Sequence, residues 1–290
     1  MLSVIIDQFL NGLALGALYA LIASGVAIVF GIVQLVNFAH GEFYMMAAYI
    51  FFMLLVLVKL PYTLAALATV LAMSCFGALL ELVVIRPVVH RPWQTQLVAT
   101  LGISVFLMAL ASVAFGTFPL RAFSPLSARI LRVGSFDVSE QRLLLIGVTT
   151  VAFVALHQFI QRTKIGKGMR AVSQNREACV AVGIDVQLIS MITFAIGAGL
   201  AGLAAALYVP LVTISPTMGQ LLIIKAFVVV IMGGFGRFDA TIVAALLLGE
   251  IESFTIQYVT TAFVDVLSFL LMVGTLLFRP YGLFGRRVGI

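Results

Sequence analysis

Residues 9–30, FLNGLALGALYALIASGVAIVF, form an uninterrupted run without a charged side chain. An α-helix rises 1.5 Å per residue, and about 20 apolar residues suffice to cross about 30 Å of bilayer hydrocarbon. The run is therefore long enough to span a membrane. A secretory signal peptide would need a basic segment before its apolar core, whereas this flank carries Asp7. The sequence predicts a spanning helix near its N-terminus.

The rest of the chain has the same character. Of its 290 residues, 63% are hydrophobic and 10% are charged, against roughly 45–50% and about 25% in an average soluble domain. Nearly the whole sequence divides into lengths that suit a bilayer, which predicts an all-α membrane protein. We expect one transmembrane domain over 1–290, a polytopic helical bundle of about eight to ten transmembrane segments with broken helices. The apolar runs are 9–30, 43–58, 61–85, 96–115, 143–160, 188–209, 221–235, 240–258 and 263–278.

The net charge of +6 comes from basic residues in short connections between these runs. They form no long basic stripe, so we read them as determinants of membrane orientation rather than as a nucleic-acid surface. Placing the loop 161–187 in the cytoplasm puts eleven Lys and Arg inside and six outside, with 116–142 as an extracytoplasmic loop and the C-terminus inside. The six outer ones are Lys59, Arg121, Arg129, Arg132, Arg142 and Lys225.

Two apolar runs meet at residues 31–42, GIVQLVNFAHGE, through a polar stretch that contains Asn37, His40, Gly41 and Glu42. At membrane depth this stretch would be a broken helix whose polar groups line a transport path. An intramembrane Glu or His is costly and would then be functional. The alternative is a tight cytoplasmic loop in which Glu42 stabilises a helix start through the macrodipole. The spacing leaves both open.

A second interruption lies at residues 232–239, MGGFGRFD, where Gly233, Gly234 and Gly236 permit a sharp break. Interrupted segments in both halves of a chain are typical of transporters built from repeats. These glycines are therefore further candidates for the substrate path, with a plain loop as the alternative.

The cytoplasmic loop contains a predicted helix over 169–182, with Gly183 in position to end it. Its partly apolar face is suited to the groove of a partner protein, or alternatively to the membrane surface. The candidate docking residues are Arg170, Ala171, Asn175, Arg176, Glu177, Ala178, Gly183 and Ile184.

The motifs of several classes of enzyme and binding site are absent from the sequence. The sequence contains no GxxxxGK[ST] loop for ATP and no HExxH or GxSxG motif. Cys75 and Cys179 form no ligand cluster, so no metal site is predicted.

The late-span carboxylates Glu250, Glu252 and Asp265 could face an aqueous path or make contacts between helices. Small residues at 197–202 and 204–206 predict close helix packing.

Five segments together resemble the branched-chain amino-acid ABC permease family, and more narrowly its LivH-type subunit. The strongest is NFAHGE at 37–42, and the resemblance runs from about residue 8 to 285. The others are NGLALGALYALI at 11–22, GMRA at 168–171 with Asn175, Ala178, Gly183 and Ile184 after it, GGFG at 233–236, and RPYGLFG at 279–285.

The resemblance implies a subunit of an importer for branched-chain or related amino acids in the bacterial inner membrane. It implies a LivM-type second permease, two cytoplasmic ATPases that hold ATP and Mg, and a periplasmic solute-binding protein. This chain would then need no cofactor and would not be an enzyme, and residues 168–184 would transmit ATPase closure to the membrane. Related permeases carry urea, amides or carboxylates. An ion-coupled secondary transporter that uses Glu42, Glu250, Glu252 and Asp265 is the rival.

Overall fold

The computed structural model describes residues 2–124, 126–127, 129–133, 136–234, 236–279 and 282–283. Each of the nine apolar runs coincides with a helix, which confirms the predicted all-α membrane class. The helices are α1 (Leu2–Val33), α2 (His40–Phe52), α3 (Tyr62–Leu80), α4 (Arg86–Val88), α5 (Trp93–Phe115), α6 (Glu140–Arg162), α7 (Lys164–Gln174), α8 (Arg176–Ala181), α9 (Val186–Tyr208), α10 (Met218–Gly233), α11 (Phe238–Tyr258) and α12 (Phe263–Phe278).

Six helical stretches among the described residues are long and apolar enough to cross a membrane. A π-helical turn extends α2, and another joins α3 to α4. Helices α10 and α11 meet at an angle of 119°, and counting them as one broken span gives seven. Eight to ten segments therefore stays a prediction. The six stretches are Val4–Val33, His40–Leu57, Tyr62–Val88, Trp93–Phe115, Glu140–Arg162 and Val186–Leu211.

The core of the bundle is built on α1 and α9. In the most apolar part of each helix, 83% of the residues of α1 and 67% of those of α9 are buried, against 11% of those of α6. Helix α1 packs on α9, α10 and α11, and α9 also packs on α2 and α3. The sequence predicted α1 as a spanning helix but not its central position, because α5 is equally apolar and is 17% buried.

Small residues let α3 and α9 approach each other closely, as predicted. A Cβ atom placed on Gly202 would lie 3.1 Å from the Cβ of Met73, and one on Gly199 would lie 2.5 Å from the Oγ of Ser74. Lipid provides no hydrophobic drive between helices, so such close backbone contact supplies van der Waals attraction instead.

The connection between α5 and α6 contains two short strands that the polar character of 116–142 did not predict. Strand β1 (Ile130–Val133) pairs antiparallel with β2 (Phe136–Ser139), and Ile130 is opposite Ser139. The β-branched and aromatic residues on either side of Gly134 are the signal for this hairpin. A separate bridge joins Leu120 to Ile214, which ties this connection to the one between α9 and α10.

Candidate functional site

The segment between α1 and α2 is a true helix break. Helix α1 ends at Val33, and Gln34 has a φ of 59°, which is uncommon for a residue with a side chain. The Oδ1 atom of Asn37 accepts a hydrogen bond from the Ala39 amide at 3.1 Å, and His40 begins α2. The short side chain of Asn37 thus stabilises the turn that starts the second helix.

Helix α2 begins halfway through the bundle. Glu42, in its first turn, is fully buried, and its Oε1 atom accepts a hydrogen bond from the Oγ of Ser104 at 3.0 Å. Ser104 is the twelfth of the 23 residues of α5, a helix long enough to span the bilayer. The carboxylate therefore lies at the middle of a spanning helix, and not in a loop at its end.

A second helix begins at the same place. A Cβ atom on Gly41 would lie 2.8 Å from the Cβ of Ile223 and would overlap the carbonyl oxygen of Gly219, in the first turn of α10. A Cβ atom on Gly219 would overlap the Oε2 atom of Glu42. The N-termini of α2 and α10 are therefore in contact through two glycines. We call this contact, with Glu42 beside it, the N-terminal junction.

Charge and burial make the N-terminal junction distinctive. Each helix N-terminus carries a partial positive charge, so two of them favour a carboxylate between them. The Oε2 atom of Glu42 is buried without a hydrogen-bond partner within the described part of the chain.

His40 and Asn37 lie next to the N-terminal junction. The imidazole of His40 is completely buried in a notch where α1 and α9 each present a glycine: a Cβ atom on Gly25 would lie 2.5 Å from its Nε2, and one on Gly197 would lie 3.4 Å from its Cε1. Phe38 packs on Phe227 of α10 with ring centroids 5.1 Å apart. The structure thus places Asn37, His40, Gly41 and Glu42 at the helix break, and their part in a substrate path stays a prediction.

The glycines of the second break lie elsewhere. Helix α10 ends at Gly233, and Gly234 and Gly236 have φ values of 98° and 74°. Fourteen residues of helix separate Gly219 from Gly233, a rise of about 21 Å. The three glycines are thus at the other end of α10 from Glu42. A Cβ atom on Gly31 would lie 3.1 Å from the Cα of Gly236, which places this break against the end of α1.

The closing motif packs on the same break. The backbone amide of Leu283 donates to the carbonyl of Met232 at 2.7 Å, and a Cβ atom on Gly282 would lie 2.5 Å from the Gly234 nitrogen. Phe235 of the glycine motif, and Pro280, Tyr281, Phe284 and Gly285 of the closing motif, lie outside the described residues.

The predicted helix over 169–182 is wrong in its extent, because two helices occupy this region. Helix α7 begins at Lys164, capped by Thr163, and α8 begins at Arg176. The chain breaks at Asn175, whose Oδ1 accepts from the Ala178 amide at 2.9 Å. An Asn side chain that satisfies a helix end in this way competes with continuation of the helix before it.

The end of α8 was predicted correctly. Gly183 has a φ of 80°, and the amide of Ile184 donates to the carbonyl of Cys179 at 2.9 Å, as in a Schellman motif. Beyond the membrane-spanning helices, Val180 and Val182 expose 63% and 75% of their surface. Two exposed apolar side chains close together outside the membrane-spanning helices make this a candidate contact surface. Glu177 and Ala178 are exposed beside them. We call this the α8 surface.

Helix α7 connects the α8 surface to the core. Met169 and Val172 are buried, and α7 contacts α1, α6 and α9. The Arg170 guanidinium donates to the side chain of Gln161 at the end of α6. A cavity of about 120 Å³ separates α7 from the break at Gly233, Gly234 and Gly236, which we call the glycine break. Its lining includes Gly31, Met169, Arg170, Ser173, Gly236 and Phe238.

One charged side chain inside the bundle was not recognised from the sequence and was assigned to the outer surface. Lys225, counted above among the outer loop residues, lies in the middle of α10, so the outer count falls from six to five. Its Nζ lies 2.5 Å from Glu252 Oε1 and 2.9 Å from Asp265 Oδ1. A lysine within an apolar run, with carboxylates in the next two runs, was the available signal.

Known proteins resemble this chain along nearly its whole length. Residues 8–276 match the family described as branched-chain amino acid transport system / permease component. The high-affinity branched-chain amino acid transport system permease protein LivH of Salmonella typhimurium is 31% identical, with 97% of this chain and 96% of LivH covered. BraD of Pseudomonas aeruginosa, the permease protein of a high-affinity branched-chain amino acid transport system, is 33% identical at the same coverage.

A more distant relative and a solved structure extend the comparison. The probable branched-chain amino acid transport permease protein LivH of Methanocaldococcus jannaschii is 26% identical over 92% of this chain and 89% of its own. PsaBC from Streptococcus pneumoniae in complex with Fab shares the fold with a TM-score of 0.53 at 12% identity, covering 98% of both chains.

Proposed function

The chain belongs to the branched-chain amino acid transport system permease family, and we propose that it is the transmembrane permease subunit of an ATP-driven importer for branched-chain or related amino acids. It is a multi-pass membrane protein, and we assign it to the bacterial inner membrane. Its complete relatives LivH and BraD carry this substrate class in their names, which supports the choice over urea, amides or other carboxylates.

The observation that carries the proposal is the N-terminal junction at the middle of the bundle. Interrupted helices whose N-termini meet at mid-depth are the usual construction of a transporter's substrate region. An amino acid is a zwitterion: its carboxylate suits helix N-termini, and its ammonium suits a carboxylate such as Glu42. We therefore place Asn37, His40, Gly41 and Glu42 beside the solute path.

The glycine break has a different role in this proposal. Because Gly233, Gly234 and Gly236 lie about 21 Å along α10 from Gly219, we assign them to a hinge on the cytoplasmic side and not to the path itself. The small cavity between α7 and Gly236 leaves room for movement there. A displacement of α7 could thereby turn α10, whose other end forms half of the N-terminal junction.

The α8 surface supports a docking role for the loop 161–187. Exposed Val180 and Val182 would be covered by an ATPase subunit, with Arg176 and Glu177 at the rim of the contact. In this assembly two cytoplasmic ATPases bind ATP and Mg, a LivM-type chain is the second permease, and a periplasmic solute-binding protein docks on the loop 116–142.

A membrane arrangement with nine helices is consistent with this assignment. If α10, α11 and α12 each cross or enter the bilayer, alternation from an outer N-terminus puts α7, α8 and the glycine break inside, and the β1–β2 hairpin outside. With Lys225 removed from the tally, eleven basic residues are inside and five are outside, which agrees better with the positive-inside rule than the original count.

The secondary-transporter rival loses two of its four carboxylates. Glu252 and Asp265 both contact Lys225, and a carboxylate held by a lysine is a poor carrier of a coupling ion. Glu42 and Glu250 remain as its candidates.

The test is affinity purification of the chain from its native membrane, followed by reconstitution into liposomes. We expect two ATPases and a second permease to copurify, and leucine uptake to require ATP and the binding protein. A chain that purifies alone and takes up leucine along an ion gradient without ATP would establish the rival.

A further inference from the structure

A cavity of about 260 Å³, lined by both polar and apolar side chains, lies between helices at the end of α1 that is remote from its break. Neither the N-terminal junction nor the α8 surface includes it. In the arrangement proposed above it opens on the extracytoplasmic side. Its lining comes from the outer parts of α1, α6 and α11 and from the end of α9: Gln8, Asn11, Ala14, Leu15, Arg142, Tyr208, Leu211, Ser253 and Ile256.

Arg142 is the one ionised side chain in this lining. It lies half-buried in the first turn of α6, and within the described ranges no carboxylate approaches its guanidinium within 4.0 Å. Arg129 on the same side of the protein differs, since it is exposed and lies 4.0 Å from Glu140. A guanidinium that lines a cavity without a carboxylate beside it is available to pair with an anionic group of a ligand there.

The other polar groups of the cavity divide into satisfied and unsatisfied ones. The amide of Gln8 bonds to Gln257 and Asn11, and the hydroxyl of Ser253 donates to the Gln8 carbonyl at 2.7 Å. The Oδ1 atom of Asn11 has no partner among the described residues. The hydroxyl of Tyr208 likewise makes no hydrogen bond to them. The Asn11 oxygen is closed off by its neighbours, so Arg142 and Tyr208 are the donors that remain open at the cavity.

We propose that this cavity is an outer binding site for the solute itself, in which Arg142 and Tyr208 hold the carboxylate of a free amino acid. Arginine pairs with carboxylates through two parallel hydrogen bonds. Leu15, Leu211 and Ile256 contact an aliphatic side chain. The inference rests on the proposed function and adds to it a residue that recognises the substrate.

The size of the cavity agrees with this ligand. At about 30 Å³ per water molecule, 260 Å³ holds about nine waters, which is the size class of a single amino acid. It is smaller than the roughly 300–1,000 Å³ of sites for drug-sized ligands. The combination of one cation, one hydroxyl donor and an aliphatic wall fits a neutral branched-chain amino acid better than urea, which has neither carboxylate nor aliphatic group.

The test measures direct binding of radiolabelled leucine to the purified complete transporter in lipid nanodiscs, without binding protein. Leucinamide, which lacks the carboxylate, is the competitor. We expect leucinamide to compete at least tenfold more weakly than leucine. R142Q should weaken leucine binding roughly tenfold to a hundredfold, the usual effect of losing a charged hydrogen-bond partner, and should abolish the preference for leucine over leucinamide. R142K should be intermediate, and R129Q should bind as the unaltered complex does.

Three results would overturn the inference: no leucine binding by the unaltered complex, equal competition by leucinamide, or unchanged binding by R142Q. The leucinamide comparison requires no variant, so equal competition contradicts the inference even if R142Q fails to assemble. A preference for leucine is assigned to this cavity, and not to the N-terminal junction, by its loss in R142Q or its reduction in R142K. ATP-driven uptake, measured on the same preparation with binding protein added, separates the two proposals. Uptake without direct leucine binding removes only the outer site, whereas a complex without ATP-driven uptake contradicts the proposed function.

Discussion

The Nζ atom of Lys225 lies 2.5 Å from the Oε1 atom of Glu252, inside the bundle. Ser268 bonds to both of them, and Tyr19 donates to the other oxygen of Glu252 at 2.6 Å. The group therefore connects α10 to α1, α11 and α12. Because α10 contributes one side of the N-terminal junction, this charge cluster fixes the helix that the proposed transport step has to move.

Removal of one partner of this pair should destabilise the protein strongly. In K225M or E252Q one member loses its buried charge partner, which typically costs about 3–5 kcal/mol. The free energy of unfolding of the purified protein in detergent, from denaturant titration, measures the loss. D265N is the matched control: its carboxylate is 63% exposed, so a much smaller change is expected.

The double variant K225M/E252L distinguishes charge from packing. If the loss comes from an uncompensated charge, the apolar pair should recover most of the stability that K225M loses. A double variant that is less stable than either single one would assign the effect to packing around α10 instead.

The glycine contact between α2 and α10 makes a second prediction. In G219A the added methyl group would overlap the Gly41 carbonyl region and the Glu42 carboxylate, so the two N-termini must separate. We expect uptake to fall at least tenfold while the complex still assembles, with a stability loss of about 1–3 kcal/mol from overpacking. G102A is the control, since apart from the neighbouring backbone of α5 no atom of the described residues lies within 4 Å of a Cβ at Gly102.

Equal uptake rates for G219A and G102A would show that the N-terminal junction tolerates a wider spacing. The two glycines would then be packing residues without a part in transport.

The sequence allowed half of the N-terminal junction to be predicted. The polar residues between two apolar runs identified Asn37, His40, Gly41 and Glu42, because buried polar groups in such a chain are conspicuous. Gly219 could not be found in the same way. It is one of 25 glycines, and its importance comes from the position of α10 beside α2, which no local pattern encodes.

For the glycine break, the sequence identified the residues but not their position relative to Glu42. The residues Gly233, Gly234 and Gly236 predicted an interruption, and two of them have the positive φ values that favour glycine. Their assignment to the same site as Glu42 assumed that both breaks lie at one depth. The length of α10 separates the two breaks. In the sequence this helix was visible only as the apolar run 221–235, which does not show that α10 begins beside Glu42.

Glu42 itself gives a third prediction. E42Q keeps an oxygen that can accept from Ser104 but removes the negative charge between the two helix N-termini. We expect uptake to fall at least tenfold with normal assembly, because the charge and not the hydrogen bond is what an incoming ammonium group would sense. S104A, which keeps the charge and removes the 3.0 Å hydrogen bond, should lose much less. Similar losses in the two variants would mean that Glu42 acts through its bond to α5.

The α8 surface gives the last prediction, in which an apolar contact is separated from a charged one. Val180 and Val182 are exposed outside the membrane-spanning helices, so aspartate at either position leaves the folded chain intact while placing a charge in the proposed ATPase contact. We expect V180D/V182D to lose ATPase subunits on affinity purification. N175A serves as the structural control: it removes the cap of α8, at a cost of about 1 kcal/mol, but leaves both valines unchanged, so it should retain more ATPase than the aspartate variant. If V180D/V182D copurified with a full complement of ATPases and N175A did not, the order of α8 would matter and its apolar residues would face lipid headgroups instead of a partner.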